Sequence, residues 1–330
     1  MRVKIFNLGR ILCPSPNALV RKVATAGARS GMSTSGDEDK ARDAFNALLG
    51  SLRPKLHRYC ARMTGSVIDG EDVVQDALAD AIASTPDPGA IANPEGWLFR
   101  IAHTTAVDYL RKRARREALT AQEDPDMMVD AQSGADSRVA TAASLRTFMA
   151  LPASQRSSVI LMDVLGYSLD EIGAITAASV PAVKAALHRG RTRLRELALE
   201  PDTRPLPVLA ADERARLAVY VDRFNARDFD ALRDMLADEV KLDLVAKLHY
   251  SGRDQVKNYF TQYFNVDRWL VHPGFVDRRP AILFYLRNDP SRQAVHFVLL
   301  DWTEDKLINI RDFLFAPYAM DGAEVIRGDG

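Results

Sequence analysis

Apolar residues recur at a helical period through most of positions 40 to 200, and residues 71–82 show the pattern clearly. There the apolar positions are spaced i, i+3, i+4, i+7 and i+8, and they are Val74, Ala77, Leu78, Ala81 and Ile82. This spacing predicts a helix with one buried face. The opposite face would be solvated on an ordinary helix, and it carries Glu71, Asp72, Gln75, Asp76 and Asp80.

A second helix is predicted to begin at Asn93-Pro94. Asn93 can cap it, and Pro94 suits the first helical position because its missing N–H would have no partner there. The inward stripe of this helix would be Leu98, Ile101, Ala102, Thr105 and Tyr109. The opposite stripe becomes strongly positive toward the end of the helix, and it comprises Arg100, His103, Thr104, Val107, Arg111 and Arg115.

Two helices joined by a tight turn are predicted after a further helix that Leu151-Pro152 opens and Gly166 ends. Ser168 and Glu171 have the spacing of a capping box, and Ser179 follows a turn and can cap the next helix. This order predicts a helix-turn-helix. In its second helix the inward residues would be Val180, Val183, Leu187 and Leu194, and the exposed ones Lys184, His188, Arg191 and Arg195.

Beyond residue 210 the pattern turns from helices to a mixture of helices and strands. Helices are predicted at 212–224, 228–236 and 253–264, and strands at 240–248, 281–287, 294–302 and 307–315. Aromatic residues change as well, because 8 of the 25 lie in the first 210 positions and 17 in the last 120. We therefore predict a multi-domain chain: two all-α helical domains followed by an α+β domain with a mostly antiparallel sheet.

Composition excludes several classes of protein. No run of about 18 apolar residues is present to span a bilayer, so we expect no membrane association. The two cysteines, Cys13 and Cys60, are too few for a disulfide framework or a four-cysteine zinc site. We expect a cytoplasmic protein without a metal or other cofactor. The 44 basic and 44 acidic residues cancel, so only their distribution can indicate a polyanionic partner.

That distribution is uneven. Residues 97–116 carry six Arg or Lys against one Asp, and residues 180–195 carry five against none. Between them six acidic residues in 117–138 indicate a solvated linker. The predicted divisions are a disordered or mis-started arm (1–39), a first helical domain (40–116), the acidic linker (117–138), a second helical domain (139–200), a Pro-rich linker (201–210), the α+β domain (211–320) and a tail (321–330).

Both basic helices could bind nucleic acid. On the first, cationic side chains can neutralise phosphates, while Trp97 and Phe99 offer ring faces on which an unstacked base could lie. The alternative is a solvated helix whose Trp97 fills the core. On the second, residues near the helix start would meet base edges in the major groove, namely Pro181, Ala182, Lys184 and Ala185. Arg189, Arg191 and Arg193 would contact the DNA backbone.

Residues 40–198 resemble the extracytoplasmic-function (ECF) class of bacterial RNA polymerase sigma factors. The resemblance rests on the segments 71–76, 96–102 and 108–111, and on Leu151-Pro152, Gln155-Arg156, Gly166-Tyr167-Ser168, Glu171-Ile172 and Val183-Lys184 with Leu187-His188-Arg189. It implies region 2 and region 4 domains that bind the clamp and flap of core RNA polymerase and contact promoter DNA. His103-Thr104 and Ala182 depart from the residues common in the family, Arg-Asn and Thr.

The resemblance also assigns binding residues by position. Core polymerase would contact Glu71, Asp72, Val74, Gln75 and Asp76. The minus-10 element would contact Trp97, Phe99, Arg100, His103, Thr104, Arg111 and Arg115. The minus-35 element would contact Pro181, Ala182, Lys184, Ala185, His188, Arg189 and Arg191.

The carboxy-terminal domain resembles the SnoaL-like branch of the nuclear transport factor 2 cone fold. Such domains can enclose a pocket, and acid–base candidates near predicted strands are Asp243, His249, His296, Asp301 and Asp312. The favoured alternative for each is a satisfied polar core residue or a surface residue. Without a nucleophile or metal-ligand motif, we expect a protein that is not an enzyme and has no catalytic residues.

Three functions follow from these patterns. The first is a sigma factor whose SnoaL-like domain regulates it by packing on the helical domains. The second is a ligand-responsive helix-turn-helix regulator that acts without polymerase, and the third is an enzyme fused to a DNA-binding segment. A small-molecule ligand or an anti-sigma factor is left open as a further partner.

Overall fold

The structure is a computed structural model that describes residues 35–84, 91–118, 139–141, 143–198 and 204–328. Residues 1–34 of the predicted amino-terminal arm, most of the acidic linker and the start of the Pro-rich linker lie outside these residues. Positions 35–39, which were predicted to belong to a disordered or mis-started arm, form the start of the first helix. The first three helices are α1 (Ser35–Thr64), α2 (Val67–Ser84) and α3 (Pro94–Ala118). Asn93 caps α3 as predicted, since its side-chain oxygen accepts the N–H of Gly96 at 3.0 Å.

Close packing of α1 against α2 depends on Gly70. A Cβ atom at that position would lie 2.5 Å from the backbone nitrogen of Ala61, well inside van der Waals contact. The inward stripe of α2 is buried as predicted at Val74, Ala77 and Leu78, whereas Ile82 near the helix end is 50% exposed.

Four further helices follow. They are α4 (Leu145–Met149), α5 (Ala153–Val159), α6 (Leu169–Thr176) and α7 (Val180–Leu197), and a π-helical turn, Ile160–Val164, continues α5. The capping box of Ser168 and Glu171 is present, and the Ser179 side chain caps α7. Ala177 takes the left-handed conformation between α6 and α7. The predicted helix-turn-helix is therefore confirmed in its caps and its turn.

The two helical domains share one apolar core. The Phe99 ring of α3 lies 5.2 Å from that of Tyr167, and Tyr167 donates a hydrogen bond of 2.5 Å to Glu95. Arg156 of α5 donates to the carbonyl oxygens of Met63 and Leu151. The two helical domains are therefore packed against each other.

The carboxy-terminal domain combines three helices with a seven-stranded sheet. The helices are α8 (Ala211–Asn225), α9 (Phe229–Asp234) and α10 (Arg253–Phe264). The strands are β1 (Leu236–Leu244), β2 (Leu248–Ser251), β3 (Trp269–Val276), β4 (Arg279–Leu286), β5 (His296–Thr303), β6 (Lys306–Asp312) and β7 (Val325–Arg327).

The strand order is β2-β1-β6-β5-β4-β3-β7, and only β1 and β6 pair in parallel. The predicted α+β class and mostly antiparallel sheet are thus confirmed. Aromatic residues of the helices fill the space above the sheet, with Phe224 lying 5.2 Å from Phe284 and from Tyr263 between ring centroids.

Three strand predictions were wrong. The single strand 240–248 is a hairpin of β1 and β2, because Ala246 takes a positive φ of 64° in the turn. Strand β3 was missed because Pro273-Gly274 within it has the composition of a turn. Residues 325–327, assigned to a tail, form β7 and pair with β3 at the sheet edge.

The carboxy-terminal domain packs directly on α1 and α2. Val67 and Ile68, at the start of α2, belong to an apolar cluster with Phe297 and Phe313 of the sheet domain. The Phe297 and Phe313 rings stack with their centroids 4.1 Å apart. None of the helices within the described ranges is long and apolar enough to cross a membrane.

Candidate promoter and polymerase interfaces

Helix α7 presents its predicted DNA-contacting residues along one side. Pro181, Ala182, Lys184 and Arg189 are exposed. Ala185 and His188 are half-buried, since they lie at the edge of the surface that packs on α5 and α6. The first two turns of α7 are therefore accessible in the described chain, as a major-groove helix requires.

Arg191 is held differently from the other residues predicted to contact the minus-35 element. Its guanidinium makes two hydrogen bonds to the Asp163 carboxylate, of 2.9 Å from Nε and 2.6 Å from one terminal nitrogen. Such a bidentate pair fixes the side chain against the π-helical turn. This pair also holds α7 in place against the π-helical turn of its domain.

Trp97 lies at the start of α3 and is half-buried. With Arg100 and Thr104 it lines an open cavity of about 620 Å³ beside the end of α2. Arg111 and Arg115 are exposed further along the same helix, and Arg111 pairs with Asp108 at 3.1 Å. The Trp97 ring, the cavity and the two exposed arginines thus lie along one helix. A ring beside a cavity can hold an unpaired base, and arginines can contact its phosphates.

Two further residues predicted to contact the minus-10 element, Phe99 and His103, are not exposed on α3. Phe99 is fully buried between Tyr59 and Tyr167, so its ring is a core residue and the prediction of a stacking surface there was wrong. His103 is half-buried, and its Nδ1 lies 2.7 Å from the Tyr59 hydroxyl oxygen. Burial lowers the pKa of His103 to about 4, so the imidazole is neutral near pH 7.

The predicted polymerase-binding residues of α2 fall into three groups. Val74 is fully buried on the inward stripe, so the prediction that it contacts polymerase was wrong. Asp76 is exposed and Gln75 is half-buried. Glu71 and Asp72 contact the carboxy-terminal domain, and these contacts define what we call the α2 interface.

Glu71 is buried at the centre of the α2 interface. Its carboxylate accepts hydrogen bonds from Arg53 of α1 and, at 3.1 Å, from the Tyr318 hydroxyl. Arg53 Nε also lies 2.9 Å from the Tyr318 oxygen. Burial raises the pKa of Glu71, and the Arg53 guanidinium offsets part of that rise. The acidic face expected to be solvated is therefore partly inside the molecule.

Arginines of the sheet domain complete the α2 interface. Arg311 on β6 contacts Asp72 at 2.5 Å and Asp243 on β1 at 3.2 Å. Arg279 on β4 pairs with Asp69, whose side chain is only 7% exposed. Asp277 accepts the backbone N–H of Val67 at 2.5 Å. A charged network thus binds the sheet domain to the first turns of α2.

The sequence pattern did not predict this network. The contacts of Arg311, Arg279 and Tyr318 with α2 were missed. Sequence spacing carries no information on which surfaces of two domains meet.

Comparison with known proteins agrees with this architecture. The family models for sigma-70 region 2 and sigma-70 region 4 match residues 48–116 and 145–194. The RNA polymerase sigma factor CarQ of Myxococcus xanthus is 32% identical over 161 residues, which are 48% of this chain and 91% of CarQ. The chain belongs to the RNA polymerase sigma factors, in the ECF class. The resemblance found in the sequence is confirmed.

Similarity extends beyond the two sigma regions of this sigma factor. The ECF sigma factor SigG of Mycobacterium tuberculosis is 25% identical over 308 residues, 84% of this chain and 82% of SigG. Among solved structures, the M. tuberculosis ECF sigma factor SigJ aligns with 18% identity and a TM-score of 0.32, over 81% of this chain and 95% of SigJ.

Proposed function

We propose that this sigma factor directs core RNA polymerase to promoters that have minus-10 and minus-35 elements, without being an enzyme itself. The observation that carries the proposal is the pairing of two distinct cationic helices, α3 and α7, in domains that match region 2 and region 4. Helix α3 would contact the opened minus-10 strand with Trp97, Arg100, Thr104, Arg111 and Arg115.

Helix α7 would lie in the major groove of the minus-35 element. Pro181, Ala182, Lys184 and Ala185 would meet base edges, and Arg189 would contact phosphates. Because Nε and one terminal nitrogen of Arg191 already bind the two oxygens of the Asp163 carboxylate, we assign it to positioning α7. His103 would contribute shape and a neutral hydrogen-bonding group, not charge.

The acidic face of α2 would bind core polymerase through Asp72, Gln75 and Asp76, together with Glu71. In the described arrangement Glu71 is buried and Asp72 is paired with Arg311. The same carboxylates cannot serve two partners at once. We therefore infer that the SnoaL-like domain lowers polymerase binding by occupying α2, and that release of the α2 interface restores it.

Run-off transcription with purified core polymerase tests the promoter function. The templates are genomic fragments from the source organism, and the full chain is compared with an Arg279→Ala/Arg311→Ala variant, so that repression by the SnoaL-like domain is not mistaken for lack of function. We expect promoter-dependent transcripts, which are stronger with the variant. A complete lack of such transcripts with both proteins would refute the proposal.

The DNA contacts of α7 are tested in the same assay. Replacing Lys184 and Arg189 by alanine should reduce transcripts about tenfold and weaken their dependence on salt, because two phosphate-neutralising groups are lost. Arg223→Ala is the matched control, since Arg223 is an exposed arginine of α8 that pairs with Asp228. Equal transcript levels from the double variant and the control would contradict the assignment of α7.

A gel shift of the free protein on duplex promoter DNA separates this function from a regulator that acts without polymerase. A sigma factor should bind weakly at physiological salt and gain affinity when core polymerase is added. Tight binding by the free protein, unchanged by polymerase, would favour the regulator.

A further inference from the structure

The two helical domains and the carboxy-terminal domain meet around a cleft of about 780 Å³, which lies outside the proposed contacts with promoter DNA and polymerase. Helix α3 and the turn between α1 and α2 form one wall, and α4 forms a second. The carboxy-terminal domain supplies the third wall, with the turn between β3 and β4 and residues 322–324. The volume lies within the range of small-molecule pockets in proteins.

The cleft is strongly cationic. Among the described residues that line it, six are arginines and three carry carboxylates, which leaves an excess of three positive charges. The arginines are Arg113, Arg116, Arg146, Arg204, Arg278 and Arg279, and the carboxylates belong to Asp69, Asp277 and Glu324. Guanidinium groups bind phosphates well, because their planar fork donates two parallel hydrogen bonds. The lining therefore favours an anionic ligand that carries phosphate.

Two of the three carboxylates are occupied by arginines of the same cleft. Asp69 pairs with Arg279 and also lies 3.8 Å from Arg113. Glu324 lies 3.4 Å from Arg204. These ion pairs hold the three walls against one another, and they already use the carboxylates that could offset the remaining arginines.

The other three arginines come from three different walls. Arg116 is exposed near the end of α3, and Arg146 is exposed on α4. Arg278, in the turn between β3 and β4, donates a hydrogen bond of 2.9 Å to the backbone oxygen of Pro205 and forms no ion pair with the described residues. Asp277 beside it accepts two backbone N–H groups, at 2.5 and 2.9 Å. Positive charge is thus presented from all three sides of the cleft.

We propose that this cleft binds a small molecule with two linked phosphate groups, a diphosphate, and that its oxygens bridge Arg116, Arg146 and Arg278. Two linked phosphates carry about three negative charges near pH 7, which matches the excess of the described lining. They also present acceptor oxygens in several directions, as donors on three walls require. A single phosphate is smaller and carries less charge, so it binds this site more weakly.

A ligand at this place joins all three domains. It makes its full set of contacts only when the domains are packed together, so its binding stabilises the packed arrangement. In that arrangement the carboxy-terminal domain covers the first turns of α2. Reduced binding of polymerase in the presence of a diphosphate is therefore a consequence that rests on the proposed function, whereas binding of the diphosphate itself does not.

Isothermal titration calorimetry on the full chain tests the site with inorganic pyrophosphate, inorganic phosphate and ADP at one low ionic strength. We expect saturable binding of pyrophosphate at one site and at least about tenfold weaker binding of phosphate, the ratio that one charged hydrogen bond supplies. ADP that binds more tightly than pyrophosphate would indicate a nucleotide as the ligand, and equal or weaker binding an inorganic ion. The measurement needs no polymerase, so its failure would leave the promoter function untouched.

Three single substitutions, one on each wall, locate the site. Arg116→Ala, Arg146→Ala and Arg278→Ala should each weaken pyrophosphate binding about tenfold, because each removes one charged donor. Lys112→Ala is the matched control, since Lys112 is an exposed cation of α3 outside the cleft, and it should bind like the wild type. Circular dichroism verifies that each variant is folded.

Four results would each overturn the proposal. They are no saturable binding of pyrophosphate, equal affinity for phosphate and pyrophosphate, unchanged affinity in any of the three arginine variants, and an equal loss of affinity in the Lys112→Ala control. The last result would show a general attraction of anions to a basic surface.

Discussion

At the scale of single residues, burial decides which charged groups are available for function. Asp312 and His296 lie together beneath the helices of the carboxy-terminal domain, with His296 Nε2 3.7 Å from Asp312 Oδ1. Burial raises the pKa of Asp312 to about 6 and lowers that of His296 to about 3. Near pH 7 the carboxylate is ionised and the imidazole is neutral, so they do not form an ion pair.

The raised pKa of Asp312 makes a prediction about stability. Between about pH 4 and pH 6 the unfolded chain releases this proton while the folded chain keeps it, so the free energy of unfolding falls as the pH rises. Asp312→Asn removes this contribution. We expect the stability of the wild type relative to the variant to fall by about 2 to 3 kcal/mol between pH 4 and pH 7.

Urea denaturation at several pH values measures this difference. His296, whose lowered pKa acts in the opposite direction, is present in both proteins, as are the nearby charges of Asp243 and Arg268. A difference that does not depend on pH would show that Asp312 keeps an ordinary pKa.

At the scale of secondary-structure elements, the approach of α2 to α1 is set by Gly70. Gly70→Ala would place a methyl group against the backbone of Ala61, and rigid backbone cannot move aside as a side-chain tip can. We expect a loss of about 1 to 3 kcal/mol in the free energy of unfolding. Urea denaturation followed by circular dichroism measures it.

Gly50→Ala is the matched control for this prediction. Gly50 lies in α1, and a Cβ atom there would meet nothing within 4 Å. Alanine at an open helical position should raise stability by up to about 1 kcal/mol. Opposite signs for the two substitutions are expected, and a stabilising effect of Gly70→Ala would contradict the packing of α1 on α2.

Elements with strong local signals were predicted well from sequence. The capping box at Ser168 and the cap at Ser179 fix the ends of α6 and α7 through bonds between near neighbours in the chain. Helix α10 was predicted over its exact range. Strand β3 was missed because Pro273-Gly274 has the composition of a turn. The strand forms all the same, because its backbone pairs with β4 on one side and with β7 on the other.

Predictions of single site residues differ in the same way, because helical period is a local signal and contacts between domains are not. Helical period predicted that Lys184, His188, Arg191 and Arg195 are exposed on α7, and Lys184 is exposed, whereas the other three are half-buried. Phe99 and Glu71 were misplaced because contacts from other domains bury them. Periodicity gives the face of a helix but not the domain that covers that face.

At the scale of the whole molecule, the carboxy-terminal domain and core polymerase would compete for the first turns of α2. Deleting the domain would expose Ala61, Val67 and Ile68, which pack against it, so point substitutions are the cleaner test. Arg279→Ala/Arg311→Ala removes two ion pairs with Asp69 and Asp72 while leaving the apolar contacts. Arg287→Ala is the control, because Arg287 pairs with Asp267 within the sheet domain.

The most direct measurement is the affinity of purified core RNA polymerase for the full chain, compared with the two variants. We expect Arg279→Ala/Arg311→Ala to bind about tenfold more tightly than the wild type, a typical coupling between two competing interactions, and Arg287→Ala to bind like the wild type. Equal or weaker binding by the double variant would contradict control of the sigma factor through α2.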